Sequence, residues 1–444
     1  MIKQHPLILL TPIKSDHLEK LKIILKKIND ELKDAVQHGT ETAFNKVTTL
    51  HYGRLVILSE DSFRPEDNAS LPVPYRLIFS TNFDGDQDFH LTELSTVLAK
   101  NIDEVYECCD GYPEPNDRTP ESRKNYLKQW GLKTSAFFNG APGRSLPQIK
   151  QEKKLRDYIW QFLSKNNWKG MSAVEIHKAI RKEIDSKSEF EWSKQKAELP
   201  KVYWLIPLAI LGVVLLITLF ITGIIYKNYL LLVPFIILVA PVLYIRVFHE
   251  LSDKYKPTKL SEVPDKLVER LVEDEDLFPQ NQFTQVAVMK PGLVRLLNFK
   301  MWMLRTRLLA TYVFVKGKLL NIPTIHFARW VLFDNNKHVL FFSNFDGNWQ
   351  QYLGDFIDQS GWGLTGIFSN TKNFPPTRFM ITGGAYDEAH FLAWSRSTQV
   401  PTQVWYSPYK DLSIKNINNN TKIRNELRDN LNEEQAQFFL KRIA

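Results

Sequence analysis

Cysteine is nearly absent from this 444-residue chain, and the two that occur, Cys108 and Cys109, are adjacent. Neighbouring cysteines make a poor disulfide and two lone sulfurs a poor metal site, so the chain is read as carrying free thiols in a reducing compartment. A chain this long can bury its own cores in two or three domains and needs no such staple. No His-x-x-x-His, Glu-x-x-His or Cys-x-x-Cys spacing occurs, which removes the familiar metal sites. The glycine-bearing segments 138–144 and 382–385 lack a phosphate-loop context and read as turns. No nucleophile elbow, kinase signature set or dinucleotide fingerprint is present. The sequence therefore names no reaction, and whether the chain is an enzyme stays open. The N-terminus lacks the long apolar region and small-residue cleavage site of a signal peptide, so no cleaved leader is expected.

Charge is missing from two stretches. Residues 202–226 contain none, and after Lys227 a second uncharged run extends over 228–245. Each approaches the ~20 residues that an α-helix needs to cross ~30 Å of hydrocarbon. Tyr203, Trp204, Tyr226, Tyr229 and Tyr244 stand where interfacial aromatics belong. The expectation is a two-helix transmembrane hairpin over 202–248, kinked in its second helix by Pro234 and Pro241. A hairpin returns the chain to the side it left. Lys194, Lys196 and Lys201 before it, with Arg246, Lys254, Lys256 and Lys259 after it, place both soluble parts and both termini in the cytoplasm.

Acidic residues are also absent from 277–333, where Lys290, Arg295, Lys300, Arg305, Arg307, Lys316, Lys318 and Arg329 stand. The formal charge of the whole chain is +8. With Phe299, Met301, Trp302 and Met303 interleaved, this basic helix reads as one lying on anionic lipid headgroups, with Lys290, Arg295, Lys300, Arg305 and Arg307 on the membrane surface. Nucleic acid would suit the same composition, but the neighbouring hairpin favours lipid.

The most informative positive signal is an internal repeat. Residues 49–58 (TLHYGRLVIL) match 324–333 (TIHFARWVLF), and 77–85 (LIFSTNFDG) match 339–347 (VLFFSNFDG), in the same order and at similar spacing. A third block, 145–149 followed by 154–157, aligns with 413–417 followed by 422–425. In each copy a strand, an amphipathic helix, two strands, a helix and a strand follow one another. In the first copy these are strand 7–13, helix 16–36 with Leu18, Leu21, Leu25, Ile28 and Leu32 on one face, the two repeated strands, helix 89–100 and strand 134–138; in the second, helix 349–359 and strand 402–406 correspond to the last two. Order βαββαβ is the ferredoxin-like unit, whose sheet leaves one face open. Two copies can cover each other's open faces. The expected fold is α+β: two ferredoxin-like repeats at 1–165 and 280–444 forming a pseudo-twofold barrel, joined by a helical connector (166–201), the transmembrane hairpin (202–248) and a charged linker (249–279). The connector starts with the capping box Ser172 to Glu175 and carries Ile176, Ile180 and Ile184 along one stripe.

In element order and duplication the chain resembles the dimeric α+β barrel superfamily, whose members include dye-decolourising peroxidases, chlorite dismutases, small monooxygenases and many binding proteins. Its His-Phe-x-Arg and Ser-Asn-Phe-Asp-Gly segments are similar to those of a group of bacterial membrane proteins. The first resemblance implies a ligand, haem among the candidates, held between the sheets. No catalytic motif of a member matches residue by residue, and those enzymes carry their haem ligand on a helix.

The repeat supplies the candidate binding residues: His51, Arg54, Asn82 and Asp84 in the first copy, His326, Arg329, Asn344 and Asp346 in the second. Alternation along a strand puts each His and the Arg three positions on upon opposite faces, so one points between the sheets and the other to the helix layer or the barrel end. Histidine suits proton transfer or ligation, with a satisfied core residue of equal weight. For Asp84 and Asp346 a structural role is favoured: capping the turn and the next helix, or pairing with the buried Arg. The leading expectation is a membrane-anchored binding or scaffolding protein that holds a small apolar or anionic, lipid-derived ligand between the repeats. The alternative is a membrane-bound oxidoreductase using haem.

Overall fold

The structure, a computed structural model, describes residues 2–63, 71–198, 205–273, 275, 279–315, 317, 319 and 322–443. Lys201, Tyr203, Trp204, Lys316 and Lys318, used above, lie outside the described residues. The first half runs β1 (Gln4–Pro12), α1 (Leu18–His38), β2 (Leu50–Ser59), β3 (Tyr75–Asp84), α2 (Gln87–Val97), α3 (Ala99–Tyr106), α4 (Pro120–Gln129), β4 (Ala136–Asn139) and α5 (Leu146–Lys165). Helix α6 (Ala173–Asp185), the apolar helices α7 (Leu205–Ile225) and α8 (Val233–Ile245), and α9 (Asp265–Val272) connect to the second half. That half comprises β5 (Gln280–Val288), α10 (Leu293–Tyr312), β6 (Ile325–Phe333), β7 (His338–Asp346), α11 (Trp349–Phe368), a ribbon of β8 (Thr377–Arg378) and β9 (Thr382–Gly383), α12 (Glu388–Ser397), β10 (Val404–Tyr406), α13 (Ile414–Glu426) and α14 (Glu433–Ile443).

The fold is α+β, with two antiparallel four-stranded sheets ordered β1-β3-β2-β10 and β4-β6-β7-β5. Helix α1 forms because Leu21, Leu25, Ile28 and Leu32 recur at helical spacing and are all buried; it ends at Gly39, whose φ of 65° suits a residue without Cβ. The last strand of each half does not join its own sheet, as a closed ferredoxin-like unit would require. Strand β4 pairs with β6, and β10 with β2. The reason lies at the outer edges of β1 and β5. Leu10 N–H donates to Trp130 O and Leu132 N–H to Ile8 O, so the segment just before β4 already covers β1. Val286 N–H and Val400 N–H make the same kind of contact with Thr398 and Thr284 on β5. A covered edge cannot take another strand, and the chain crosses to the free edge of the other sheet.

Between the sheets lies one shared apolar cluster that includes Ile8, Val56 and Ile78 from one sheet and Val286, Val331, Leu340 and Phe342 from the other. Two larger cores lie on the outer, helix-covered faces. Cys108 and Cys109 are free, buried thiols in the first of the helix layers. Helix α6 starts at the Ser172–Glu175 capping box, and its Ile180 and Ile184 pack with Leu155, Ile423 and Phe439 of α5, α13 and α14.

After α7 the chain reverses at Lys227 and Phe220 packs on Phe235, with ring centroids 4.5 Å apart. Among the described residues one helix, Tyr229–Glu250, is long and apolar enough to cross a membrane; none of its most apolar window is buried. A shorter apolar run, Leu211–Ile225, precedes it. The helical exit is tied to the second half. Glu250 accepts from the backbone of Phe379 and Met380, both at 2.8 Å, and from the Thr377 hydroxyl. Asp253 accepts from Lys290 Nζ at 2.5 Å, and Arg295 donates to His249 O.

Candidate functional site

Each sheet carries a β-bulge at its histidine, between Leu50 and Tyr52 in β2 and between Ile325 and Phe327 in β6. A bulge breaks strict alternation. His51 and Tyr52 consequently point into the same end cluster, lying 5.6 and 5.7 Å from the Phe327 ring, instead of on opposite faces. His326 joins them, 5.6 Å from Tyr52 and 6.3 Å from Tyr409. His51 and Arg54 thus divide as expected, the histidines at the end of the sheets and the arginines between them, although a bulge and not simple alternation sets the division.

The histidines bind the repeated aspartates. His51 Nε2 lies 2.9 Å from Asp84 Oδ1, and His326 Nε2 lies 2.7 Å from Asp346 Oδ1. A carboxylate only accepts, so Nε2 carries the proton, and His51 Nδ1 accepts from the Tyr409 hydroxyl at 2.8 Å. The other carboxylate oxygens take the first backbone N–H of α5 and of α13: Leu146 N at 2.6 Å and Ile414 N at 2.8 Å. Both helices start at the third repeated block, with Ser145 and Ser413 as N-caps. The free N–H groups and dipole of a helix N-terminus favour a negative charge there. Asp84 also accepts from Gln4 Nε2 at 2.7 Å. Asp84 and Asp346 therefore cap neither the turn nor the next helix; Asp86 and Asn348 cap α2 and α11.

The arginines do not pair with these aspartates either. Arg54 spans the gap and donates to Asn344 Oδ1 (2.5 Å), Ser343 O (3.0 Å), Phe283 O (2.9 Å) and Thr284 Oγ1 (3.0 Å) of the opposite sheet. Arg329 does the reverse, donating to Asn82 Oδ1 (2.9 Å), Thr81 O (2.7 Å) and Leu7 O (3.2 Å). The two asparagines meet, Asn344 Nδ2 lying 3.3 Å from Asn82 Oδ1. Both guanidinium groups stand over the Phe342 ring, at 5.2 and 5.5 Å. Burial pulls Arg54 down to about 9, which leaves it charged at neutral pH. Burial, then the charge of Arg54, lowers Arg329 well below its usual range. Each arginine is a cross-sheet strut, donating to an asparagine side-chain oxygen and to two backbone carbonyls of the opposite sheet.

Chemically, Tyr409, His51 and Asp84 form a buried hydrogen-bonded chain of the kind that moves protons. The space beside it, lined by His51, His326, Arg144, Phe327, Tyr409 and Ile417 among others, is about 10 Å³, room for one water. Burial lifts the Tyr52 and Tyr409 phenols well above their ordinary range, so neither ionises near neutrality. Haem does not fit here: both His51 nitrogens are engaged and the space is too small by more than an order of magnitude. Of the eight candidates taken from the repeat, the arginines and asparagines bond across the two sheets, and the histidines and aspartates hold the first turns of α5 and α13 at their end.

A sizeable cavity lies elsewhere among the described residues, on the helix layer of the second half between α10 and α11. It measures about 350 Å³ and is walled by Trp302, Leu309, Trp330, Phe356, Leu364 and Ile367, with Arg305 at its edge. Beside it α10 exposes Leu293, Leu297, Met301, Leu304 and Leu308. At about 100° per residue these five share a stripe roughly 80° wide, with Lys300 and Arg307 on one flank and Arg305 on the other. Of the five basic residues assigned to the membrane surface, these three are exposed. Lys290 and Arg295 are buried instead, held by Asp253 and by Ser369 O at 2.9 and 3.3 Å. Desolvation draws Lys290 down to about 8 and Arg295 below its usual value.

Tyr409, Gln4 and Asp253 escaped sequence reasoning. Tyr409 has no counterpart in the first copy, Gln4 carries no motif, and Asp253 lies 37 residues from its Lys290 partner. Comparison with known proteins finds no matching family, curated protein or solved structure.

Proposed function

We propose that this chain is a membrane-anchored binding or scaffolding protein whose second half rests on the surface of an anionic bilayer. In this reading α7 and α8 form a two-span hairpin, both soluble parts share the cytoplasmic side, and the halves are duplicated ferredoxin-like repeats closed into a pseudo-twofold barrel. The observation that carries it is the exposed stripe of α10, flanked by Lys300, Arg305 and Arg307 on a helix whose first turns are bound to the exit of the apolar helix through Arg295 and Asp253. The side chains of that stripe are about half exposed, and a fully buried one of this kind yields 1.5–3 kcal/mol, so seating all five in lipid is worth roughly 5 kcal/mol. Each flanking cation adds about 1 kcal/mol near anionic lipid. A buried apolar cluster occupies the region between the sheets, and the cavity of about 350 Å³ lies on the helix layer, which favours a ligand there over one between the repeats.

Spin labels at Leu297→Cys and Leu304→Cys in lipid nanodiscs test the seating. They are expected to be shielded from a water-soluble relaxation agent and open to oxygen, while a label at the exposed Ile23 of α1 behaves as a water-facing control. Equal exposure of all three to the aqueous agent would overturn the proposal.

A further inference from the structure

We infer that the cavity between α10 and α11 is a binding site for one acyl chain of an anionic phospholipid, and this inference rests on the membrane-seated reading above. Its volume of about 350 Å³ falls within the range of small-ligand pockets. Its wall is mainly hydrocarbon and aromatic; the polar groups among the lining residues are the side chains of Arg305, Thr306 and Ser360 and the indole N–H groups of Trp302, Trp330 and Trp362, of which Ser360 Oγ is committed to Phe356 O at 3.1 Å and Trp330 Nε1 is buried without a partner. Water needs two to four polar partners in a buried site, so this one favours an apolar occupant.

Two features show how the space is kept open and which way it faces. Helix α11 leaves helical geometry at Ser360 (φ −144°, ψ 21°), and Gly363 follows in the cavity wall. Gly366 admits the Trp302 ring, which a Cβ there would meet at 2.1 Å. On the open side Leu308 belongs both to the cavity and to the exposed stripe of α10, so a hydrocarbon chain passes from bilayer to pocket without crossing water. Arg305 stands at the same edge with its guanidinium 5.3 Å from the Trp302 ring centre, placed to meet a phosphate. Lys300 and Arg307 stand on the other flank of the stripe and do not line the cavity, so Arg305 is the cation beside it that favours an anionic lipid over a zwitterionic one.

The test is native mass spectrometry of the full chain released from nanodiscs of mixed phosphatidylglycerol and phosphatidylcholine. One phospholipid is expected to stay bound, with phosphatidylglycerol favoured several-fold, and Arg305→Glu should abolish that preference. Gly363→Leu and Thr306→Trp fill the cavity from opposite walls and should each cut the retained fraction at least tenfold. Leu297→Glu with Leu304→Glu removes the surface stripe and should leave the retained lipid in place, which separates the pocket from the seating. If the unmodified chain retains no phospholipid, retains only free fatty acid, or retains phospholipid equally in both cavity-filling variants, the assignment is wrong whatever the spin-label result.

Discussion

Asp84→Asn should be clearly more damaging than Asp346→Asn, although the two aspartates occupy matching places. Asp84 accepts three hydrogen bonds, from Gln4, His51 and the first amide of α5, and is buried. Asp346 accepts two, from His326 and the first amide of α13, and its side chain is 11% exposed against 7% for that of Asp84. An asparagine amide cannot satisfy all three donors around Asp84: turned one way it opposes the Leu146 N–H, turned the other it opposes Gln4 and His51. Hydrogen bonds to a charged group are worth about 1.5–3 kcal/mol each, and breaking a buried pair costs about 3–5 kcal/mol. Asp84→Asn should therefore cost about 3–5 kcal/mol and Asp346→Asn about 1.5–3 kcal/mol. Because β4 and β10 are exchanged, the halves should unfold together, and a body of this size shifts by only about 1–2 °C per kcal/mol. The expected fall in Tm is about 4–8 °C for Asp84→Asn and about 2–5 °C for Asp346→Asn, in one transition followed by near-ultraviolet circular dichroism in detergent. A larger effect at Asp346, no effect at either, or two separate transitions would refute the reasoning.

The cross-sheet struts make a second prediction: Arg54→Leu removes the hydrogen bonds to Phe283 O, Ser343 O, Thr284 Oγ1 and Asn344 Oδ1 and should lower stability by at least about 3 kcal/mol, read from the same thermal transition. A third concerns pH. Burial alone would raise the Asp334 carboxyl, but hydrogen bonds from His338 and Arg76 outweigh it and hold the group at about 2. Its folded value lies below the unfolded one, so its contribution is complete above pH ~4 and disappears as pH falls toward 2. Asp334→Asn should lower Tm at pH 6 and converge with the parent near pH 2, whereas a constant gap would contradict the pairing.

The parts of this fold legible in the sequence are those set by local periodicity and by repetition. The four-three-four spacing of Leu21, Leu25, Ile28 and Leu32 gave α1 its buried face, and the matched blocks marked β2, β3, β6 and β7. The third block marked the N-termini of α5 and α13, although not that they would receive the aspartates. The exchange of β4 and β10 was not legible, because it follows from loops that cover the edges of β1 and β5. The bulges at His51 and His326 are shifts of one residue in pairing, with no residue type to announce them. Of the basic residues, Lys300, Arg305 and Arg307 are exposed, whereas Lys290 and Arg295 turn inward to His249 and Asp253, partners that no local pattern announces. The cavity of α10 and α11 arises from the break at Ser360 and from aromatic rings on two helices, and composition alone did not indicate it.

The anchored, single-compartment arrangement is tested most directly by cysteine labelling in sealed vesicles of known orientation, with an impermeant maleimide. The native Cys108 and Cys109 are fully buried and should stay silent. Lys227→Cys at the hairpin turn should label from the face opposite to Lys194→Cys and Lys259→Cys, which should react together and only when the cytoplasmic face is accessible. Labelling of position 227 from the same face as 259, or of 194 and 259 from opposite faces, would contradict the two-span anchor.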